Sequence, residues 1–321
     1  MAIKLDKRDK RLLSYLYHHY REPLTKIAKD CEISRDQVEY RIKKYERIGL
    51  IKKYLTIFNY DLLGYNEFII VWLKLKGSED KKKEIQKQLE KMENVVSVGS
   101  AIANYDLFID FIFKDKKEFE SEFYSFTKKN EKFITDYSIF ITISFELFPL
   151  KEFGFSREEK IYHLVHPTKS FELNKKDWKI LKILEKNGRA KIIDIAREAN
   201  FSSESIIYKL KQFHKKKIIL GTRILLDIEK IGFYLGILKI NLKNNNELLR
   251  TKIREFCKGH KNINALTFGI SEYNCVIQIF YEKEKEFRDA INDIMHNFKK
   301  EIKKSQILLI ENEGLVKTLP Y

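Results

Sequence analysis

LTKIAKDCEISRDQVEYRIKKYERIGLI, Leu24 to Ile51, and IIDIAREANFSSESIIYKLKQFHKKKII, Ile192 to Ile219, follow one pattern. Each opens on a short helical run with a small residue, Ala28 or Ala196, where a second helix would cross closely. A tight turn leads to Ser34 or Ser202, placed to cap another helix. That helix turns Val38, Ile42 and Tyr45, or Ile206, Leu210 and Phe213, to one side and shows the rest to solvent. Upstream, Leu12, Leu13, Leu16, Tyr17 and Tyr20 form an apolar stripe behind the cap residue Asp6. The second copy offers Asn174 and Asp177 there, with Leu173 and Trp178 spaced as a hydrophobic staple. Downstream, IGLIKKYLTIFN and KIILGTRILLD alternate like two-stranded wings. Each stretch predicts a winged helix-turn-helix, whose last helix enters the major groove by its N-terminal residues.

The correspondence runs far beyond these segments. At an offset of 168 positions Asp9 falls on Asp177, Tyr40 on Tyr208, Gly64 on Gly232, Asn94 on Asn262, Tyr105 on Tyr273 and Phe119 on Phe287. A register kept that long means one two-part unit, duplicated and fused. After Gly64 the pattern reads strand (Phe68–Lys76), helix (Glu79–Met92), strands (Val95–Ile102 and Tyr105–Phe113), helix (Lys116–Lys129) and strand (Tyr137–Phe148). The second copy repeats it from Phe233 to Ile310. This β-α-β-β-α-β order predicts a ferredoxin-like sheet with both helices on one face. Leu107, Ile109, Phe111 and Phe113 alternate with Phe108 and Ile112, so both faces are apolar and the bare face needs a partner. The other copy's sheet is the natural one, within the chain or by exchange between chains.

The expected class is α+β: winged helix-turn-helix domains at 1–60 and 171–228, ferredoxin-like domains at 65–150 and 232–321, and a linker at 151–170. Ser156 and Glu159 form a capping box that predicts a short linker helix. His163 and His166 have a metal-compatible spacing but no third ligand, so no metal is expected.

With 62 Lys and Arg against 46 Asp and Glu, the chain carries a formal charge of +16, which favours a polyanionic partner. No apolar leader is visible at the start, and runs such as FIIVWLKL (Phe68–Leu75) are too short to cross a membrane. Cys31, Cys257 and Cys275 have no paired spacing and suit a reducing cytoplasm. No Gly-rich phosphate loop, G-x-S-x-G, H-E-x-x-H or cysteine pair is present, so neither catalysis nor a cofactor is expected. His18 and His19 read as the end of a surface helix.

If the last helix of each motif reads double-stranded DNA, base contacts fall to Arg35, Asp36, Gln37, Tyr40 and Arg41, and to Ser203, Glu204, Ser205, Tyr208 and Lys209. Phosphates fall to Ser34, Lys43, Lys44, Lys52 and Lys53, and to Ser202, Lys211, Lys215 and Arg223. The exposed positions differ between the helices although the buried faces match, so the half-sites should differ.

Helix-turn-helix, wing, a lone glycine and β-α-β-β-α-β, carried by LDKRDKRLL, LTKIAKDCEISRDQVEYRIKKYERIGLI and SAIANYDLFIDFIF, resemble the Lrp/AsnC family of transcription regulators. The resemblance covers nearly the whole chain twice. It implies DNA binding, pairing through the ferredoxin-like (RAM-type) domains, and an amino-acid-like effector near Ala103, Asn104, Tyr105 and Asp106 or Ser271, Glu272, Tyr273 and Asn274. Three features depart from the family: the tandem itself, Glu32 and Asn200 at the helix-turn-helix glycine, and Ala103, Ser271 and Asn274 in the Gly-Tyr-Asp turn. The layout is also similar to siroheme decarboxylases, for which a His- and Arg-rich wing is implied. The wings here hold no His and only Arg223. A third reading is a DNA-packing protein without sequence preference.

Overall fold

The computed structural model describes residues 3–151, 153, 161–165 and 171–320. The first copy contributes α1 (Lys7–His19), α2 (Leu24–Cys31), α3 (Arg35–Arg47), β1 (Ile51–Phe58), β2 (Glu67–Leu75), α4 (Glu79–Glu90), β3 (Val95–Ile102), β4 (Leu107–Phe113), α5 (Lys116–Lys129) and β5 (Ile134–Leu147). A short strand β6 (Tyr162–Val165) follows. The second copy contributes α6 (Lys175–Lys186), α7 (Ile192–Ala199), α8 (Ser203–Lys215), β7 (Ile219–Leu226), β8 (Tyr234–Leu242), α9 (Glu247–Gly259), β9 (Ile263–Ile270), β10 (Cys275–Tyr281), α10 (Glu284–Asn297) and β11 (Ile302–Val316). The capping-box residues Ser156 and Glu159, and His166, lie outside the described residues.

Two compact units result. One gathers both helix-turn-helix segments (1–59, 148–162 and 172–234), the other both ferredoxin-like segments (60–147, 163–171 and 235–321).

In the first unit α1 starts at Asp6, whose carboxylate accepts the Asp9 amide at 2.6 Å while Asp9 accepts the Asp6 amide at 3.0 Å. Leu12, Leu13, Leu16, Tyr17 and Tyr20 are buried, as their spacing predicts. The wings differ from expectation. Each copy has a single eight-residue strand, and β1 pairs antiparallel with β7 of the other copy instead of folding back on itself. Each strand runs into a one-turn 3-10 helix with no room for a hairpin, so its free backbone groups are satisfied across the repeat. The register is symmetric about Leu55–Arg223, with Tyr54 opposite Ile224 and Thr56 opposite Thr222, which places an approximate dyad there. Helices from both copies cover this ribbon, which alone would be marginal. Thr56 donates to the Leu184 carbonyl at 3.2 Å, and Thr222 donates to the His18 carbonyl at 2.5 Å. His18 is therefore buried, not on the surface: its Nδ1 sits 3.2 Å from the Thr222 carbonyl.

In the second unit Ile69, Val71, Leu73, Ile109 and Phe111 bury the helix-facing side of the first sheet beneath Ile85 and Leu89 of α4 and Phe123 of α5. The sheets run β5-β2-β4-β3 and β11-β8-β10-β9. They join edge to edge twice, β3 to β11 and β5 to β9, so eight strands close into a ring. The joints repeat one register: Leu309 opposes Ile102 as Ile141 opposes Ile270. Closure hides the second apolar face, including Phe68, Trp72, Phe108, Ile112 and Phe140. Both sheets belong to the one chain. Strand β6 adds beside β5 within the 151–170 segment, where the sequence predicts a linker with a short helix. The three cysteines are buried and unlinked. Among the described residues no helix is long and apolar enough to cross a membrane, and no group of three or more His, Cys, Asp or Glu could hold a metal.

Candidate functional site

The third helices of the two motifs, α3 and α8, share a framework and differ on their exposed sides. Each follows a left-handed residue that ends the preceding helix, Glu32 (φ 57) or Asn200 (φ 59). Asn tolerates this region well and Glu less so; the Glu32 side chain pairs at the surface with Arg11 at 2.5 Å. Ser34 then accepts the Gln37 amide at 3.2 Å, while Gln37 Oε1 accepts the Ser34 amide at 3.4 Å. Ser202 accepts the Ser205 amide at 3.2 Å. Val38, Ile42 and Tyr45 are buried beneath α3, and Ile206 and Phe213 beneath α8, with Leu210 half-buried.

Arg35, Asp36, Gln37, Tyr40, Glu204 and Tyr208 are exposed on these helices, and Ser203 and Ser205 are half-buried at the start of α8. Tyr40 and Tyr208, equivalent by repeat, show 65% and 61% of their surface. Gln37 reaches a base only by giving up its cap.

Arg41 and Lys209 are already engaged within the protein. Arg41 is ion-paired with Asp9 and, at 3.0 Å, with Asp6. Asp9 is buried and also accepts the Tyr45 hydroxyl at 2.5 Å. Lys209 pairs with buried Asp177 at 2.7 Å. In this structure these cations fasten the third helix of each motif to the first, so each would reach a base only by leaving its carboxylate. The sequence held the signal: acid and base recur in register in both copies, as a packing contact requires.

The phosphate set divides in the same way. Lys43, Lys52, Lys211, Lys215, Ser34 and Ser202 are exposed and Lys44 is half-buried on α3. Lys43 lies 2.8 Å from Glu39, an exposed pair worth little. Lys53 instead pairs at 2.6 Å with Glu185, which has no exposed surface, and Arg223 lies over the Tyr17 ring at 4.9 Å. Both hold the ribbon to its covering helices.

In the second unit a pocket of about 600 Å³ opens beside the β3–β4 turn, lined by Glu79, Lys82, Lys83, Ala103, Tyr105 and Asp106 among others. Lys82 bridges Asp106 at 2.7 Å and Glu79 at 3.1 Å. Asp106 also accepts the Leu75 amide at 2.7 Å; in the second copy Asn274 accepts the Leu242 amide at 2.9 Å and donates to its carbonyl at 3.1 Å. The Asp-to-Asn change therefore keeps a backbone clamp. Ser271, Glu272, Tyr273 and Asn274 do not line this pocket; Glu272 is ion-paired with Lys304. Tyr105 and Tyr273 both bring their rings within about 5 Å of the Lys239 ammonium. Ala103 has φ 96, a conformation that costs a residue with a Cβ roughly 1–3 kcal/mol. Ala103→Gly is expected to raise the unfolding temperature by about 2–4 °C, read by thermal denaturation. No rise would mean that the turn is relaxed.

A winged helix-turn-helix DNA-binding family matches at residues 5–52 and 173–219, once in each copy. The HTH-type transcriptional regulator FL11 of Pyrococcus abyssi is 29% identical over 121 residues, covering 38% of this chain and 79% of that protein. The regulatory protein AsnC of Haemophilus influenzae is 30% identical over 105 residues, covering 33% of this chain and 69% of AsnC. The chain belongs to the Lrp/AsnC family. It is a helix-turn-helix DNA-binding transcription regulator of the Lrp/AsnC type with the whole unit written twice. The ferredoxin-like halves are accordingly the RAM domains of an Lrp/AsnC protein. A solved structure of the siroheme decarboxylase NirDL, in co-complex with an iron-uroporphyrin III analogue, matches 98% of this chain and 94% of its own. Its TM-score is 0.63 at 14% identity, a likeness of fold across both copies.

Proposed function

We propose that this Lrp/AsnC protein recognises one imperfect inverted repeat per chain. The observation that carries this reading is the symmetric β1–β7 register, which relates two reading helices of unlike sequence by an approximate dyad. A dyad calls for inverted half-sites, and unlike side chains call for half-sites that differ. Arg35 has the fork geometry for a guanine edge, Tyr40 and Tyr208 offer apolar contact to a thymine methyl, and Ser203 and Glu204 give the second helix another preference. Lys43, Lys44, Lys52, Lys211 and Lys215 hold the backbone, with Ser34 and Ser202 at the helix starts.

Fluorescence-anisotropy titration of duplexes from the chain's own upstream region, against random duplex over a salt series, tests this. Each neutralised phosphate adds about −0.9 to the slope of log K on log salt, so six contacts cost about 10³ in affinity between 50 and 200 mM. A preference over random DNA of ~10³ or more is expected. A steep slope with no preference would make the protein a packing factor instead. Arg35→Ala with Gln37→Ala is expected to flatten that preference, whereas Lys43→Ala with Lys44→Ala weakens all duplexes alike. Specificity surviving the first pair would remove α3 from its reading role.

The pocket beside Ala103, Tyr105 and Asp106 offers both charge signs, which suits a small zwitterion such as an amino acid. Thermal-shift titration with each amino acid, followed by anisotropy with any that binds, tests it; no shift with any of them would leave the regulator without this effector. The decarboxylase reading is tested by adding an iron porphyrin carboxylate and recording the visible band. No spectral change is expected, and a saturable one would revive an enzymatic role.

A further inference from the structure

Inside the strand ring the two copies stop being copies. Trp72 of β2 pairs with Ser138, and Lys239 of β8 pairs with Gln306. Since Ser138 and Gln306 are repeat equivalents, Trp72 and Lys239 occupy the same place in the two sheets. Trp72 is 1% exposed and Lys239 not at all. The Lys239 ammonium lies 3.9 Å from the Trp72 ring centroid, 4.8 Å from Tyr105 and 5.0 Å from Tyr273. Among the described residues its Nζ has no hydrogen-bond partner. A desolvated ammonium without an acceptor is costly unless aromatic faces take the place of water. Lys239 therefore needs Trp72 opposite it, and a second lysine there would be repelled.

A second difference points the same way. Where β5 meets β9, Gly269 leaves room for the Phe140 ring; a Cβ at 269 would overlap that ring and the Ile141 carbonyl. The equivalent places on the β3–β11 joint hold Ala101 and Leu308. Two first copies would drive Phe140 into the Ala101 methyl. Two second copies would leave Leu308 over Gly269 with space unfilled.

We propose that the ferredoxin-like halves pair heterotypically: the inner face of the first copy accepts the second copy and rejects its own duplicate. The partner this surface fits is therefore the second half of this chain, and not another first half.

The full-length chain can carry each homotypic joint. Lys239→Trp sets Trp against Trp as two first copies would, and Trp72→Lys sets Lys against Lys as two second copies would. Each is expected to lower the unfolding temperature by ~6 °C or more. The exchange variant, Trp72→Lys with Lys239→Trp, is expected to recover at least half of the summed loss. Recovery of less than half would overturn the proposal. Should the exchange variant not fold, fluorescence decides. The chain has two tryptophans, so in a Trp178→Phe background Trp72 reports alone. Lys239→Met is expected to shift its emission by removing the ammonium from its face. An unchanged spectrum would overturn the heterotypic contact.

Discussion

Asp9→Ala is expected to destabilise the helix-turn-helix unit by about 3 kcal/mol, seen as a fall of roughly 6–12 °C in unfolding temperature by circular dichroism. Asp9 is buried between α1 and α3, where it receives the Arg41 guanidinium, the Tyr45 hydroxyl and the Asp6 amide. Removing it leaves a half-buried cation with one remaining carboxylate, Asp6, and a buried hydroxyl with none of that bonding. The same change at Asp177 should cost less. Lys209 is a single, more exposed partner, and Phe213 stands where the first copy has Tyr45. Equal losses at the two sites would show that the tyrosine bond contributes nothing. No loss at Asp9 would show that its pair with Arg41 contributes nothing to the fold.

Between pH 7.5 and 9.5 the ring unit is expected to gain about 2 kcal/mol of stability, measured as a rise in its urea midpoint. Burial among aromatic rings pulls the Lys239 ammonium down to about 8, although Glu272 and Asp136 partly oppose this. Unfolded, the same amine holds its proton to about 10.4. Across that window the unfolded state binds more protons than the folded one, so stability rises with pH by up to about 1.4 kcal/mol per unit. Asp110 acts lower on the scale with the opposite slope. Burial, and then repulsion from Glu313, push it up to about 7, so it weakens the fold as pH climbs from about 4 to 7. The two groups together place a stability minimum near pH 7–8. Lys239→Met should flatten the alkaline rise, and an unchanged slope in that variant would assign the effect to other groups.

Much of this was legible in the chain. The offset of 168 residues, the two capping serines and the β-α-β-β-α-β rhythm determined the domain types, because helix caps and side-chain periodicity are local properties. The buried faces of α3 and α8 followed for the same reason. The two apolar sides of each sheet, seen as alternation in Leu107 to Phe113, required a partner sheet.

The sequence did not show features in which a residue's surroundings depend on a neighbour far away in the chain. The intramolecular partners of Arg41, Lys209, Lys53 and Arg223 were not legible, because a cation on such a helix or wing looks the same in sequence whether it faces solvent or a buried carboxylate. Only packing showed Asp9, Asp177 and Glu185 opposite three of them and Tyr17 under the fourth. The wings read as separate hairpins because alternation marks a strand but does not name its partner; hydrogen bonding joined β1 to β7. Lys239 gave no signal at all, since a lysine on a strand is ordinarily solvated. The sequence by itself determined the repeat, the element types and the class of protein. Tertiary structure alone decided which strands pair, which cations are already neutralised and which side chain of one copy answers a different side chain of the other, because those depend on distances between residues that no local pattern encodes.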